Sequence, residues 1–415
     1  MIGSPYSGDG PRIAVFTHDT FGLGHVRRCL RIIRRLAEDA PDAAILFITG
    51  SPAVQPLRDL PPTADLVKIP TLVRTGAKGS RPPHLPLAMD DVSRLRRSLV
   101  RKAVLGFRPH VFLVDNFPLG SREELRPTLE ELHDKGGRAV LGLRDILDAP
   151  EVVRESWKRQ GIYQVLATLY ARVLVYGFPA ILDVASAYGL SPNVAEKVRY
   201  CGYVTEAYRR TSPEAAFRSL GIEPPFLLVT GGGGGDAFPL LSAALDALPR
   251  IPDLPAVLVA GPLMGPADRE VLRARAVEGN ATLLDEVGDL PALMDAAEVV
   301  VAMGGYNVAA EIAAVRPRAI LVPRTWRFGE HHVGEAAGVE WEQILRARAF
   351  ERLGLVHVIP PSELSPERLA EAVATLRSRP RPAPSTEFVL GGIERAAAEI
   401  LSLVPLPREA SHVVS

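Results

Sequence analysis

Cysteine is scarce in this chain: Cys29 and Cys201 are the only two in 415 residues, with no C-x-x-C pair. That excludes a disulfide framework or a cysteine-built zinc site and argues for a reducing compartment. Long apolar runs are lacking too. No stretch of 18 apolar residues occurs, and the opening MIGSPYSGDGPR has no apolar signal region. The expectation is a cytoplasmic protein, able to contact the inner membrane face peripherally but not to span it. Net charge is formally zero, and no nucleic-acid partner is expected. Lysine is missing from the second half. Residues 1–220 hold 31 Lys+Arg against 23 Asp+Glu, whereas residues 221–415 hold 17 against 25 and no lysine. Such halves suit either mutual attraction or an anionic substrate or membrane surface for the first half.

The length suggests two domains. Short β-branched apolar runs alternate with helical patterns throughout, the signature of parallel α/β sheets. In the first half the strand candidates are 12–18, 43–49, 65–70, 110–115, 138–145 and 171–177. A second series runs 226–230, 256–261, 281–287, 298–303, 319–324 and 356–360. Between them, about 206–224 is polar and proline-bounded and reads as an interdomain segment. The expected organisation is 1–205 as an N-terminal domain, 206–224 as the connection and 225–380 as a C-terminal domain. Residues 381–415 then form a linker, a last helix near 388–403 and a tail. Loop 74–90, rich in Gly, Pro and basic residues, suits a mobile substrate loop. The twin series predict two doubly wound domains facing one another.

Two glycine turns stand in strand–turn–helix context in the second half. LLVTGGGGGDAF joins a buried strand to a helix through Gly231, Gly232, Gly233, Gly234 and Gly235, with Asp236 in position to cap. Glycines let main-chain N–H groups converge on an anion at a helix N-terminus, although a run of five also makes a flexible turn. No Gly-Lys-Ser/Thr follows, and Asp236 stands where a dinucleotide fingerprint needs its third glycine. The other turn is VVVAMGGYNVAAEIAAV. Gly304 and Gly305 end a strand, Tyr306 and Asn307 open a helix, and Glu311 lies one turn in. A glutamate there can accept hydrogen bonds from both hydroxyls of a ribose while helix amides hold a diphosphate. It can equally form a surface salt bridge.

Taken together, the glycine turn, the AEIAA helix and the later Glu342–Gln343 pair resemble the nucleotide-binding domain of GT-B glycosyltransferases. The similarity is to the peptidoglycan N-acetylglucosaminyltransferase family and to predicted bacterial glycosyltransferases with the GGYN turn. It covers about 225–360 and, more loosely, 11–205. The resemblance implies an α/β GT-B fold, two Rossmann-like domains on a central cleft, with acceptor side first and donor side second. It implies that Glu311 holds the donor ribose, Glu342 and Gln343 meet the donor sugar, and Val287 sits beside the base through its backbone. The segment 325–339 departs from the pattern by separating AILVPR from the Glu342–Gln343 pair. Adjacent His331 and His332 within it read as an exposed loop, without metal-ligand spacing around them.

The first turn is FTHDTFGLGHVRR, residues 16–28. Gly22, Gly24 and Arg28 form an acceptor-side loop around His25. The resemblance extends to a glycine loop with a histidine in the peptidoglycan enzymes, and to the G-x-G-H-x-x-R-C turn of the UDP-sugar hydrolases of pseudaminic acid synthesis. An imidazole of ordinary pKa, ~6.5, suits proton abstraction from an attacking hydroxyl or water. A capping histidine is the plain alternative, and His18, beside Thr17 and Asp19, competes as base. Asp115 and Asp145 each end a strand, where parallel folds place their ligands, and either can orient His25, bind the acceptor or cap the following helix.

On the helix after His25, an apolar stripe of Val26, Cys29, Leu30, Ile33, Leu36 and Ala37 leaves Arg27, Arg28, Arg31, Arg34 and Arg35 the other positions, most of them solvating the outer face and only those in the first turn near His25. The basic run Arg94, Arg96, Arg97, Arg101 and Lys102 suits a lipid-phosphate acceptor or a solvated helix face. The expected activity is inverting transfer from a UDP-sugar or other NDP-sugar to an unidentified small-molecule, glycan or lipid-linked acceptor. No cofactor or metal is expected, and closure on the donor is. The alternatives are nucleotide-sugar hydrolysis, UDP-sugar epimerisation and a non-catalytic nucleotide-sugar sensor.

Overall fold

Each half of the chain builds a parallel sheet whose first strand lies near the middle. The first sheet contains β1 (Arg12–Thr17), β2 (Ala44–Thr49) and β3 (Ala64–Lys68). A short antiparallel ribbon of β4 (Val73–Arg74) and β5 (Ser80–Arg81) intervenes. The sheet resumes with β6 (Val111–Asp115), β7 (Arg138–Arg144), β8 (Tyr170–Tyr176) and β9 (Val198–Tyr200). Its order is β3-β2-β1-β6-β7-β8-β9. The second sheet contains β10 (Leu227–Thr230), β11 (Ala256–Val259), β12 (Ala281–Leu284), β13 (Val299–Ala302), β14 (Ala319–Leu321) and β15 (His357–Val358). Its order is β12-β11-β10-β13-β14-β15, and every pair in both sheets is parallel. The computed structural model describes residues 10–17, 24–52, 60–74, 80–206, 220–324, 341–383, 388 and 391–405.

The central strands are buried along their length, as strands covered by helices on both faces must be. That explains their near-continuous apolar sequences. Strand order reverses between β1 and β6 in one sheet and between β10 and β13 in the other. At such a switch point the loops leave in opposite directions and open a crevice at the carboxyl ends. Thr17 pairs in register with Asp115, and Thr230 with Ala302. The quoted sequence turns follow these strand ends.

Two features depart from the sequence expectation. Strand β9, Val198–Tyr200, has no apolar run; its pairing with β8 places it at the sheet edge. The last helix, Gly392–Leu401, returns to the first domain and lies on the helix Gly24–Asp39. Arg395 Nε donates to Cys201 O at 2.6 Å, and Arg35 Nη1 to Glu394 at 3.2 Å. A Cβ on Gly392 would stand 2.1 Å from Tyr203 O, so only glycine permits this approach.

One buried apolar cluster runs through both domains. It joins Ile13 and Val15 of β1 to Val300 and Leu321 of the second sheet through Tyr176, Tyr203, Tyr306 and Phe350. Separate clusters fill the far face of each sheet. Because burial of one large apolar side chain stabilises by about 1.5–3 kcal/mol, this aromatic seam fixes how the two crevices face each other.

Candidate active site at the domain junction

Helix Gly24–Asp39 starts at the β1–β6 switch point, and its apolar face packs on the first sheet. Ile32 and Arg28 are buried as well, so this helix has a second buried side, toward the domain junction. Arg28 is 1% exposed. His25 Nδ1 lies 2.5 Å from Asp115 Oδ2, with the imidazole 17% exposed and the carboxylate fully buried. Arg28 clasps the same carboxylate: Nε donates to Oδ1 at 3.1 Å, and Nη2 reaches Oδ1 and Oδ2 at 2.8 and 2.9 Å. His18, Asp19 and Gly22 lie outside the described residues.

The electrostatics define the imidazole. Burial alone would raise the Asp115 pKa, but Arg28 and His25 more than reverse this and hold it below the ordinary carboxylate value. Burial lowers the His25 pKa beneath 6.5; Asp115 opposes that, and Arg28 and Arg144 add to it. A neutral imidazole beside an ionised carboxylate carries its proton on Nδ1 and donates it to Asp115. Nε2 is thereby left as the acceptor, the form a general base requires. Arg28 Nη2 also stands 2.8 Å from Nδ1, and its positive charge there disfavours imidazolium.

Across the junction, helix Tyr306–Val315 begins after Gly305. A Cβ on Gly24 would come 3.2 Å from Asn307 Nδ2, so the first turns of the two helices meet. Asn307 Oδ1, Thr17 Oγ1 and Asn116 Oδ1 are buried without a hydrogen-bond partner among the described residues. A Cβ on Gly305 would meet nothing within 4 Å. The 231–235 turn, by contrast, is packed backbone to backbone. Gly234, at φ +90°, would place a Cβ 2.1 Å from Ala260 O, and Gly261 would place one 2.5 Å from Gly232 O. The amides of Gly233, Gly234 and Gly235 make no hydrogen bond among the described residues. Unpaired amides on a glycine turn are donors of the kind that can receive an anion.

Glu311 lies one turn into helix Tyr306–Val315. Burial raises its pKa to about 7, against the pull of Arg31 and Arg27 from the opposite helix and with a push from Asp289. It makes no hydrogen bond or ion pair among the described residues. Val287, half-buried, lies in the same β12 loop as Asp289.

The other sequence candidates are packed into the junction. Tyr306 is buried; its hydroxyl donates to Tyr176 O at 2.9 Å. Asp145 does not touch His25. It accepts from Arg346 at 2.7 and 2.9 Å and from Tyr203 Oη at 2.8 Å. Glu342 is spanned by Arg144 and Arg346, each at 2.9 Å, and Arg346 also donates to Gly304 O at 2.7 Å. Burial would raise the Glu342 pKa, yet the two guanidiniums hold it low. Arg144, Asp145, Glu342 and Arg346 thus form a buried charge network across the junction. Gln343 Oε1 accepts from Arg324 N, and its backbone oxygen would lie 3.0 Å from a Cβ on Gly304. That places Gln343 directly beneath the second glycine turn. Sequence reasoning missed Arg144 and Arg346, whose only signal is a charge inside an otherwise apolar context. His331 and His332 lie outside the described residues.

No family model matches the chain. It is 28% identical over 345 residues to the UDP-N-acetylglucosamine–N-acetylmuramyl-(pentapeptide) pyrophosphoryl-undecaprenol N-acetylglucosamine transferase of Rubrobacter xylanophilus, covering 77% of this chain and 91% of the relative. To the Methylorubrum extorquens strain PA1 protein of the same name it is 27% identical over 265 residues, 61% of this chain and 67% of the relative. Among solved structures, Acinetobacter baumannii MurG superposes with a TM-score of 0.58 at 14% identity, covering 95% of this chain and 99% of that one. Phytolacca americana UGT2, complexed with UDP-2-fluoro-glucose and pterostilbene, gives 0.61 at 14% identity, with 95% and 94% covered. The UDP-GlcNAc 2-epimerase of Methanocaldococcus jannaschii gives 0.60 at 12%, with 94% and 99% covered. The fold is therefore GT-B, which the 2-epimerase shares, and it is the sequence relatives that carry a glycosyltransferase name.

Proposed function

We propose that the chain transfers a sugar from a UDP-sugar, with UDP-N-acetylglucosamine the first donor to test, to a hydroxyl or phosphate oxygen of a second substrate. The carrying observation is the His25–Asp115 pair at 2.5 Å, set where the helix Gly24–Asp39 meets the glycine-pair helix. His25 Nε2 takes the proton from the acceptor as its oxygen attacks C1 of the donor sugar. The bond from C1 to the diphosphate oxygen breaks on the opposite face, which inverts the anomeric centre. Amides of the 231–235 turn and the first turn of helix Tyr306–Val315 receive the developing charge on the leaving UDP. Stabilisation of this kind uses fixed dipoles and needs no metal. Glu311 holds the ribose hydroxyls, the β12 loop with Val287 borders the base, and Gln343 reaches the donor sugar. Glu342 supports them from within the buried network.

A lipid-linked acceptor at the inner membrane face fits the first domain's surface. Leu85, Leu87 and Leu95 are exposed there, beside exposed Arg94, Arg101 and Lys102 on helix Met89–Phe107. Exposed apolar side chains on the same segment as cations suit an anionic bilayer surface, although Arg94 pairs with Asp91 and Arg101 with Glu131. Arg96 takes no part, because it is buried against Glu124 at 2.6 Å. No helix among the described residues is long and apolar enough to cross a membrane.

Release of free nucleoside diphosphate from a panel of NDP-sugars, by wild type and His25→Ala, tests the proposal. Acceptor-dependent UDP release that disappears in the variant supports transfer. Fast release without acceptor would favour hydrolysis, and isomerised donor without release would favour epimerisation. No turnover of any donor would leave a nucleotide-sugar sensor.

A further inference from the structure

Arg28 touches both domains. On its own side it grips both oxygens of Asp115 and stands 2.8 Å from His25 Nδ1. Its guanidinium carbon lies 5.2 Å from the ring centroid of Tyr176 and 5.2 Å from that of Tyr306. Tyr306 is the first residue of the glycine-pair helix in the opposite domain. It is tied back by its hydroxyl to Tyr176 O, and its ring meets Tyr203 edge-on with centroids 5.4 Å apart. Arg346 of the charge network also stands 5.8 Å from the Tyr306 ring.

A guanidinium this buried is tolerable only with its charge matched and its faces covered. Asp115 matches the charge, and the two tyrosine rings contribute the cover, one from each domain. If the second domain shifts, Tyr306 leaves and water reaches Arg28. The fork that fixes Asp115 then loosens, and with it the imidazole. The charged groups around His25 are Asp115, Arg28 and Arg144; around Arg28 stand the Asp115 carboxylate and the neutral titratable groups Tyr176, Tyr306 and Cys29.

We propose that Arg28 is a positioning residue for the His25–Asp115 base and that Tyr306 holds it there from the opposite domain, so the base is set only while the two domains are seated together. The catalytic part rests on the transfer role given to His25 above; the structural coupling does not. Coupling of this kind keeps the base inactive when the donor side is displaced, which limits stray hydrolysis.

Two readouts on the full-length protein test it. The first is nitrogen NMR of the His25 ring across pH 5–8 without ligand. Wild type is expected to show the Nδ1–H tautomer with a titration midpoint below ~6.5. Tyr306→Leu and Arg28→Lys are expected to mix the tautomers and raise the midpoint, since water entry and the weakened guanidinium contact both favour imidazolium. Tyr306→Phe keeps the ring and is expected to restore the wild-type spectrum. The second readout is UDP release from the donor the wild type uses. Arg28→Lys and Tyr306→Leu should lower kcat roughly 10- to 100-fold, with the acid limb of the pH profile moved up by the same shift. An unchanged tautomer and midpoint in Tyr306→Leu would overturn the proposal even if kcat fell. Should Arg28→Lys not fold, the Tyr306→Leu and Tyr306→Phe pair still decides, because both keep the Arg28–Asp115 pair. If wild type turns over no donor, the transfer role falls while the NMR comparison still measures the coupling.

Discussion

The two switch points have the same strand–turn–helix plan but are filled by opposite means. At the β1–β6 end the polar side chains are charged and mutually paired: His25 on Asp115, Asp115 on Arg28, Arg28 between two tyrosines. At the β10–β13 end the turn is glycine backbone, packed as closely as main chain allows, with amides left unpaired. The difference follows from the chemistry each side would perform. A base must hold one tautomer and one orientation, so its partners saturate it. A cradle for a leaving diphosphate must keep donors available, so its groups are fixed by packing instead.

Breaking the saturated side should have the largest effect. His25→Ala is expected to lower kcat by about 10³-fold, within the usual range for a general base. Asp115→Asn should fall nearly as far, because the amide no longer fixes the Nδ1–H tautomer. UDP-release kinetics at saturating donor measure both; retention of more than a tenth of wild-type kcat by His25→Ala would remove it as base.

The junction that aligns the two sides comes next. Arg346→Met leaves Asp145 and Glu342 buried with fewer partners, and loss of one partner from such a network costs about 3–5 kcal/mol. Chemical denaturation reads this directly, and a change below 1 kcal/mol would mean the network is solvated in solution.

On the glycine side, Gly234→Ala and Gly305→Ala form a contrast. At Gly234 the φ of +90° and the 2.1 Å approach to Ala260 O make alanine cost about 1–2 kcal/mol from backbone strain alone. Gly305, the N-cap of its helix at φ −63° and with open space around its Cβ position, should lose less, on the order of 0.5–1 kcal/mol from the poorer cap and nothing from a clash. If the diphosphate lies there, donor affinity nevertheless falls in Gly305→Ala. Equal stability losses in the two variants would contradict the packing described.

The smallest effect concerns Glu311. Its pKa is raised to about 7, so the carboxyl is protonated below that pH and ionised above it. Only the ionised form accepts from both ribose hydroxyls, so UDP-sugar affinity should strengthen as pH rises from 6 to 8. Glu311→Gln should bind about tenfold more weakly, in keeping with loss of a hydrogen bond to a charged group, and with no such pH trend. Calorimetry with an intact UDP-sugar avoids titration of a terminal phosphate. A trend that persists in Glu311→Gln would assign it elsewhere.

Much of this architecture was legible in the sequence because parallel strands buried on both faces must be apolar and their turns must carry glycine. The alternation of buried runs such as those around Val114 and Val301 marked both sheets, and the glycine turns marked both switch points. Strand β9 was not legible, since an edge strand needs only a neighbour to pair with. At the candidate site, pairing between His25 and Asp115 was one option of two, and Asp145 was equally placed by strand-end logic. What separates them is an arginine: Arg28 on the same helix as His25, Arg346 from the other domain at Asp145.

By itself, then, the sequence determined the local order: which runs are strands, where turns need glycine, and which chemical groups stand at strand ends. Periodicity and backbone sterics act over a few residues, so they can be read from neighbours alone. Only the tertiary structure decided which charges meet. It placed Arg28 inward, gave Glu342 to Arg144 rather than to open cleft, and set Tyr306 against Arg28 from 278 residues along the chain. Desolvation makes those choices, because a buried charge takes whichever partner the packed domains bring within reach, and no local pattern records that distance.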